Sequence, residues 1–215
     1  MQYPSIVIFG LRLNEPVTSF TDFLIFIFCI ILSILLFKNK IYLWSYFYSF
    51  LSFSAFFGAL GHGFFGYKDN ILILISRVLM ILATFFASIS SIYLLKKNIL
   101  KTSLLIFSIL SLLFTLYFIV QKNSFEINKW NTGIGILTIL IIHLRNVLKF
   151  EKGSKIILSG FLIVVVAGIL HSLHISIGNW INENDVAHFV SIIALIIIYK
   201  GILILNKYDP KRTEN

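Results

Sequence analysis

Apolar residues run through this chain in stretches of roughly 20, separated by short polar connections. Roughly 20 mostly apolar residues are what a helix needs to cross the hydrocarbon core of a bilayer. Such a segment must pair its own backbone groups, so these stretches form helices despite their many Ile and Phe residues. The pattern predicts seven spanning helices, at about residues 18–37, 42–66, 71–95, 102–120, 132–149, 156–178 and 186–206.

The composition supports a membrane protein. Of the 215 residues, 58% are hydrophobic and only 13% are charged, whereas soluble domains carry about 25% charged residues. The apolar stretches do not alternate with polar residues as the strands of a membrane barrel do. We therefore predict an all-α, integral membrane bundle of seven helices, with residues 1–215 forming a single domain.

The basic residues predict how the bundle is oriented. Thirteen of the 18 Lys and Arg residues fall on the side that holds the connections near residues 38–40, 96–101 and 145–155 and the C-terminal segment. Short cytoplasmic loops carry such an excess, so we expect the N-terminus outside and the C-terminus in the cytoplasm, in a bacterial inner membrane. The net charge of +9 then reflects orientation, and nucleic-acid binding is not expected.

Threading the seven helices in this way brings most of the ionisable side chains to the outer end of the bundle. Such residues are costly in a bilayer and mark functional sites by default. The residues that converge there are His62, His171, His174, His188, Glu15, Asp22 and Asp185.

The spacing of these residues is typical of metal ligands. His171 and His174 are three apart on the sixth predicted helix, and Asp185 and His188 are three apart on the seventh. Residues at this spacing share a helix face and can ligate one ion, or the acid can orient the imidazole. We predict a metal site, with zinc as the first candidate, whose ligands and catalytic acids are His62, His171, His174, His188, Asp22 and Asp185. The alternative for each histidine is an ordinary hydrogen-bonding role near a helix end, which we assign to His143 on the cytoplasmic side.

Three further charged residues are predicted to line the same polar pocket. Glu15 begins the first helix, where a carboxylate suits the positive helix end. Arg77 lies well inside the third helix, so we expect it to pair with Asp22 or Asp69, although it could also extend toward the headgroups.

The positions of these residues resemble the superfamily that joins alkaline ceramidases with adiponectin and progestin receptors. Its members are seven-helix membrane proteins, known or proposed to be zinc-dependent amide hydrolases acting on lipids. The resemblance implies that His62 and His188 are zinc ligands and that Glu15 and Asp22 match acids at the start of helix one. Where the family has a Ser and a further His, this chain has Gly58 and Asn184.

Three functions are compatible with the pattern. The first is a metal-dependent hydrolase of a lipid amide or ester, with membrane lipid as its partner and substrate. The second is a receptor or sensor that binds a small ligand or lipid headgroup in the same pocket. The third is a transporter, which usually requires broken helices or an internal repeat. The pattern leaves the oligomeric state open.

Overall fold

A computed structural model describes residues 4–65, 70–149 and 151–208. An antiparallel hairpin opens the chain, with β1 at Ser5–Ile8 and β2 at Leu11–Asn14. Seven α-helices follow, and a π-helical segment, Gly61–Phe65, continues the second of them. The helices are α1 Pro16–Lys38, α2 Tyr42–Leu60, α3 Ile71–Tyr93, α4 Ile99–Lys122, α5 Phe125–Val147, α6 Lys152–Ser172 and α7 Glu183–Tyr208.

The all-α prediction is confirmed, and most helices begin and end close to the predicted windows. The exceptions are α5, which begins at Phe125 and not near residue 132, and α6, which ends at Ser172 and not at residue 178. In the part of the chain that the structure describes, six helices are long and apolar enough to cross a membrane. They are α1, α2 with its π-helical extension, α3, α4, α6 and α7; α5 is not among them. The structure therefore supports a multi-pass membrane protein.

The helices pack around a ring in which α7 returns to α1. Neighbours in the ring are α1 and α2, α2 and α3, α3 and α5, α5 and α6, and α6 and α7, while α4 packs on the outside against α3 and α5. Buried side chains from six of these helices form one apolar core. Within it the Tyr48 hydroxyl donates a 2.7 Å hydrogen bond to the Leu195 carbonyl, linking α2 to α7.

Two glycines let α6 and α7 approach each other closely. A Cβ placed on Gly153 would lie 2.7 Å from the backbone nitrogen of Leu205, and one on Gly201 would lie 2.8 Å from the backbone nitrogen of Ile157. Small residues let helix backbones meet in this way in membrane proteins. This contact joins the start of α6 to the last two turns of α7.

Candidate functional site

Five of the predicted site residues come together at the end of the bundle where α1 and α7 begin. Glu15 and Asp22 come from the start of α1, His62 from the π-helical segment, and Asp185 and His188 from the first two turns of α7. We call these five residues the acid–histidine cluster. Its carboxylates are buried: Asp185 is 0% exposed, Glu15 5% and Asp22 7%.

His188 links α7 to α1 through both of its ring nitrogens. Its Nδ1 lies 2.8 Å from the Thr21 hydroxyl, and its Nε2 lies 3.5 Å from Asp22 Oδ1. The Thr21 hydroxyl is also 3.0 Å from the Thr18 carbonyl and 3.4 Å from Asp185 Oδ1. When the single hydroxyl proton of Thr21 goes to either of those oxygens, the Nδ1–H of His188 donates to Thr21 and Nε2 faces Asp22.

Glu15 and His62 face each other from two unusual stretches of backbone. Glu15 Oε1 lies 3.6 Å from His62 Nδ1. Glu15 has a left-handed backbone, with φ of 43°, and such a conformation costs a non-glycine residue about 1–3 kcal/mol. His62 lies in the π-helical segment, a geometry that recurs at functional sites. The fold therefore holds both side chains in place at an energetic cost.

Asn182 joins the cluster and caps α7, a role that the sequence analysis missed. Its side-chain oxygen accepts from the backbone N–H groups of Asn184 and Asp185, at 2.8 Å and 3.2 Å. In return, Asp185 Oδ2 accepts from the Asn182 N–H at 2.8 Å. This is a reciprocal capping box. The sequence pattern that predicts it is an Asn three residues before an acid at the start of a helix. The Asn182 amide also donates to Thr18 Oγ1 at 3.0 Å and to Glu15 Oε2 at 3.4 Å.

The space for the Asp22 carboxylate is made by a missing side chain on α2. A Cβ on Gly58 would lie 3.0 Å from Asp22 Oδ2 and 3.5 Å from Ser76 Oγ. A glycine at this position therefore lets an acid of α1 approach α2 and sit beside His188.

Replacing Gly58 by alanine is expected to push Asp22 away from His188. The added methyl group meets a carboxylate on a short side chain, so we expect a loss of about 1–2 kcal/mol in the free energy of unfolding. Thermal unfolding in detergent would measure it. Gly133→Ala is the control, because a Cβ on Gly133 has no atom within 4 Å; an equal effect of both substitutions would contradict the proposed contact.

The structure separates His174 from the predicted site, whereas His171, in the last turn of α6, stays close enough to His188 to interact with it electrostatically. The expectation that helix six continues to residue 178 with both histidines on one face is wrong, because α6 ends at Ser172. His174 has a left-handed backbone with φ of 52°. Its side chain is 78% exposed and lies 3.5 Å from Glu183 Oε1. His171 Nε2 lies 3.0 Å from Asn184 Oδ1.

Arg77 contacts the end of α4. Its guanidinium donates to both the backbone carbonyl and the side-chain oxygen of Asn123, the latter at 2.7 Å. Asn123 ends α4 in a left-handed conformation, so Arg77 satisfies acceptors that the helix end leaves open. Asp69, the other predicted partner, lies outside the described residues. The cluster is thus formed by acids and histidines.

Within residues 4–65, 70–149 and 151–208, no group of three or more His, Cys, Asp or Glu side chains is arranged to hold a metal ion. The described cluster contains two acid–imidazole pairs, Glu15 with His62 and Asp22 with His188, and its fifth member, Asp185, faces the Thr21 hydroxyl. His62 also interacts electrostatically with Asp22 and Asp185, so the two pairs belong to one electrostatic environment.

A model of a family of unknown function, DUF6962, matches residues 17–207. The chain belongs to this family. The DUF6962 match extends from the first turn of α1 to the end of α7 and includes Asp22, His62, Asp185 and His188, whereas Glu15 precedes it. No curated protein and no solved structure has significant similarity to the chain.

Proposed function

We propose that this chain is a metal-dependent membrane hydrolase that acts on a lipid amide or ester. The observation that carries the proposal is the acid–histidine cluster itself: two imidazoles and three buried carboxylates from α1, the π-helical segment and α7. Mixed sites of imidazole and carboxylate are typical of catalytic zinc and of non-haem iron.

Within each pair, the distance between the two facing atoms suits two ligands of the same metal ion. Donor atoms that each lie about 2.0–2.2 Å from a tetrahedral metal are ~3.3–3.6 Å apart. The Asp22–His188 and Glu15–His62 pairs are separated by 3.5 Å and 3.6 Å. The hydrogen bond between His188 Nδ1 and Thr21 fixes the ring so that Nε2 faces Asp22, and metal-ligating histidines are commonly oriented by such a bond.

The described arrangement keeps the groups as two pairs, so three protein ligands meet at one point only if His62 turns toward Asp22 and His188. We propose His62, His188 and Asp22 as that ligand set. Zinc held by such ligands would make a water molecule nucleophilic near neutral pH. The Glu15 carboxylate, which faces His62, is then the base available to accept a proton. Asp185 positions Thr21 and caps α7.

The orientation of the bundle belongs to the same proposal. We place the N-terminus and the cluster outside and the C-terminal end of α7 in the cytoplasm of a bacterial cell. The excess of Lys and Arg on the opposite side supports this. A lipid substrate would then reach the cluster from the outer leaflet.

The test is metal analysis of the purified protein and of three single variants. We expect about one zinc or iron per chain, lost to below about a tenth in His62→Ala and His188→Ala, because removing one of three protein ligands leaves too few donors. His174→Ala is the matched control and should keep its metal, since its ring is exposed and pairs with Glu183. Metal-free wild-type protein would refute the metal-dependent function.

A receptor or sensor is the second candidate, favoured by the hydrogen bonds that close the cluster on itself. Hydrogen bonds of 3.0–3.4 Å connect the starts of α1 and α7: Asn182 donates to Thr18 and Glu15, and Thr21 donates to Asp185. Such a hydrogen-bond network can keep a ligand-binding site in shape without catalysing a reaction. Wild-type protein without metal, but with a raised unfolding temperature in one class of lipid, would favour this function over hydrolysis.

A further inference from the structure

The hairpin that precedes α1 has an unusual turn. Strand pairing ends at Ile8 and Leu11, so Phe9 and Gly10 form a two-residue connection with φ of 51° and 79°. Two positive φ values are typical of a type I′ turn, in which Asn-Gly or Asp-Gly is preferred. A left-handed backbone costs a residue such as Phe about 1–2 kcal/mol. Turn geometry therefore does not account for Phe9.

Packing within the protein does not account for Phe9 either. Its side chain is fully exposed, at 101% of the reference value. The side chains next to the turn are also apolar and exposed, with Val7 at 71%, Ile8 at 46% and Leu11 at 63%. The hairpin thus ends in a contiguous apolar tip, and monomeric soluble proteins rarely expose such patches without a partner.

A second apolar segment is exposed at the same end of the bundle. The connection between α6 and α7 exposes four large apolar side chains: Leu173, Ile175, Ile177 and Trp180. It turns at Gly178 and is closed by a bridge between Ile177 and Ile181. The connection leads into Asn182, which contacts Thr18 in the first turn of α1. The hairpin leads into that same turn, so both segments flank the acid–histidine cluster.

We propose that the hairpin tip and the α6–α7 connection insert into the membrane interface at this end of the bundle. The tip precedes α1, whose first two turns also expose apolar side chains, Phe20 and Phe23. Arg12 pairs with Val7 across the hairpin and is exposed, where its guanidinium can bind lipid phosphates. Trp180 supplies the amphipathic ring that favours an interface.

This insertion would set the depth of the cluster. Leu13 of β2 lies against the π-helical segment, with its Cδ1 2.8 Å from the position of a Cβ on Gly63. The hairpin is therefore packed beside His62, and its insertion would place the cluster at the level of the headgroups. The proposal concerns how the chain sits in lipid, and its test is independent of whether the cluster binds metal.

Spin labelling of Phe9→Cys in liposomes of phosphatidylethanolamine and phosphatidylglycerol tests this insertion. Cys29 is the single cysteine of the chain and is fully buried, so labelled wild-type protein should give little signal. The label at position 9 is expected to collide several-fold more often with oxygen, and less often with a water-soluble nickel complex, than a label at the control position. Glu126→Cys is that control, because Glu126 is exposed in the first turn of α5.

Val7→Cys and Ile177→Cys extend the test to the strand and to the α6–α7 connection, and either one replaces Phe9→Cys if that variant does not fold. Labels at all three positions should show the oxygen-rich, nickel-poor behaviour of an interface. Nickel access equal to that of the control would overturn the proposal by placing the segments in water. Dipolar broadening that disappears on mixing with unlabelled protein would overturn it in favour of a second copy as the partner.

Discussion

Replacing Gly153 by alanine is expected to cost about 3 kcal/mol in the free energy of unfolding, the upper end of the usual range for overpacking. The added Cβ would lie 2.7 Å from the Cα, Cβ and backbone nitrogen of Leu205. Two of these atoms belong to the backbone of α7 and cannot turn aside as a side chain would. The two helices must move apart where the start of α6 meets the last turn of α7. Thermal unfolding in detergent measures the loss.

Gly168→Ala on the same helix is the matched control for this prediction. A Cβ on Gly168 has no atom within 4 Å, and alanine is a better helix former than glycine by roughly 0.5–1 kcal/mol. The control should therefore be unchanged or slightly stabilised. Similar losses in both variants would mean that the cost comes from α6 itself and not from its contact with α7.

Replacing His143 by alanine is expected to destabilise the protein by about 3 kcal/mol, from the cavity and the lost hydrogen bonds together. His143 is fully buried in α5. Its Nε2 lies 3.2 Å from the Ser91 hydroxyl of α3, and its Nδ1 lies 3.1 Å from the Ser154 hydroxyl of α6. One imidazole therefore joins three helices. The same unfolding assay in detergent measures the loss.

His174→Ala is the control for His143, since it makes the same chemical change on a side chain that is 78% exposed. It should alter the free energy of unfolding by about 1 kcal/mol at most, because its side chain is exposed and the remaining cost is that of alanine in a left-handed conformation. If His143→Ala proved equally mild, the three-helix hydrogen-bond chain would have no role in stability.

The positions of the helices could be predicted because hydrocarbon imposes a length and a composition on them. The ends that failed have local causes. The window for helix six ran on to residue 178 because Leu173, Ile175 and Ile177 are apolar, yet the chain turns at His174 and Gly178. The β-hairpin was missed because its turn carries Phe9 in place of the usual Asn or Asp.

The convergence of Asp22, His62 and His188 at one end of the bundle could be predicted from the helix topology alone. Helices that alternate in direction bring the start of the first, the end of the second and the start of the seventh to the same side. Which atoms then meet depends on rotation about each helix axis, and periodicity does not supply that. Thr21 and Asn182 were overlooked for a second reason: they are neutral, so the search for ionisable residues did not select them.

The burial of polar residues along α5 has a consequence for how the protein is made. Asn128, His143 and Asn146 are buried, and α5 is the described helix that is long enough to span a membrane but not apolar enough. Alone in the translocon, α5 would present these amides and this imidazole to lipid. A spanning α5 would therefore need α3 and α6 to cover these groups, and its integration into the bilayer and its assembly into the bundle would be one event.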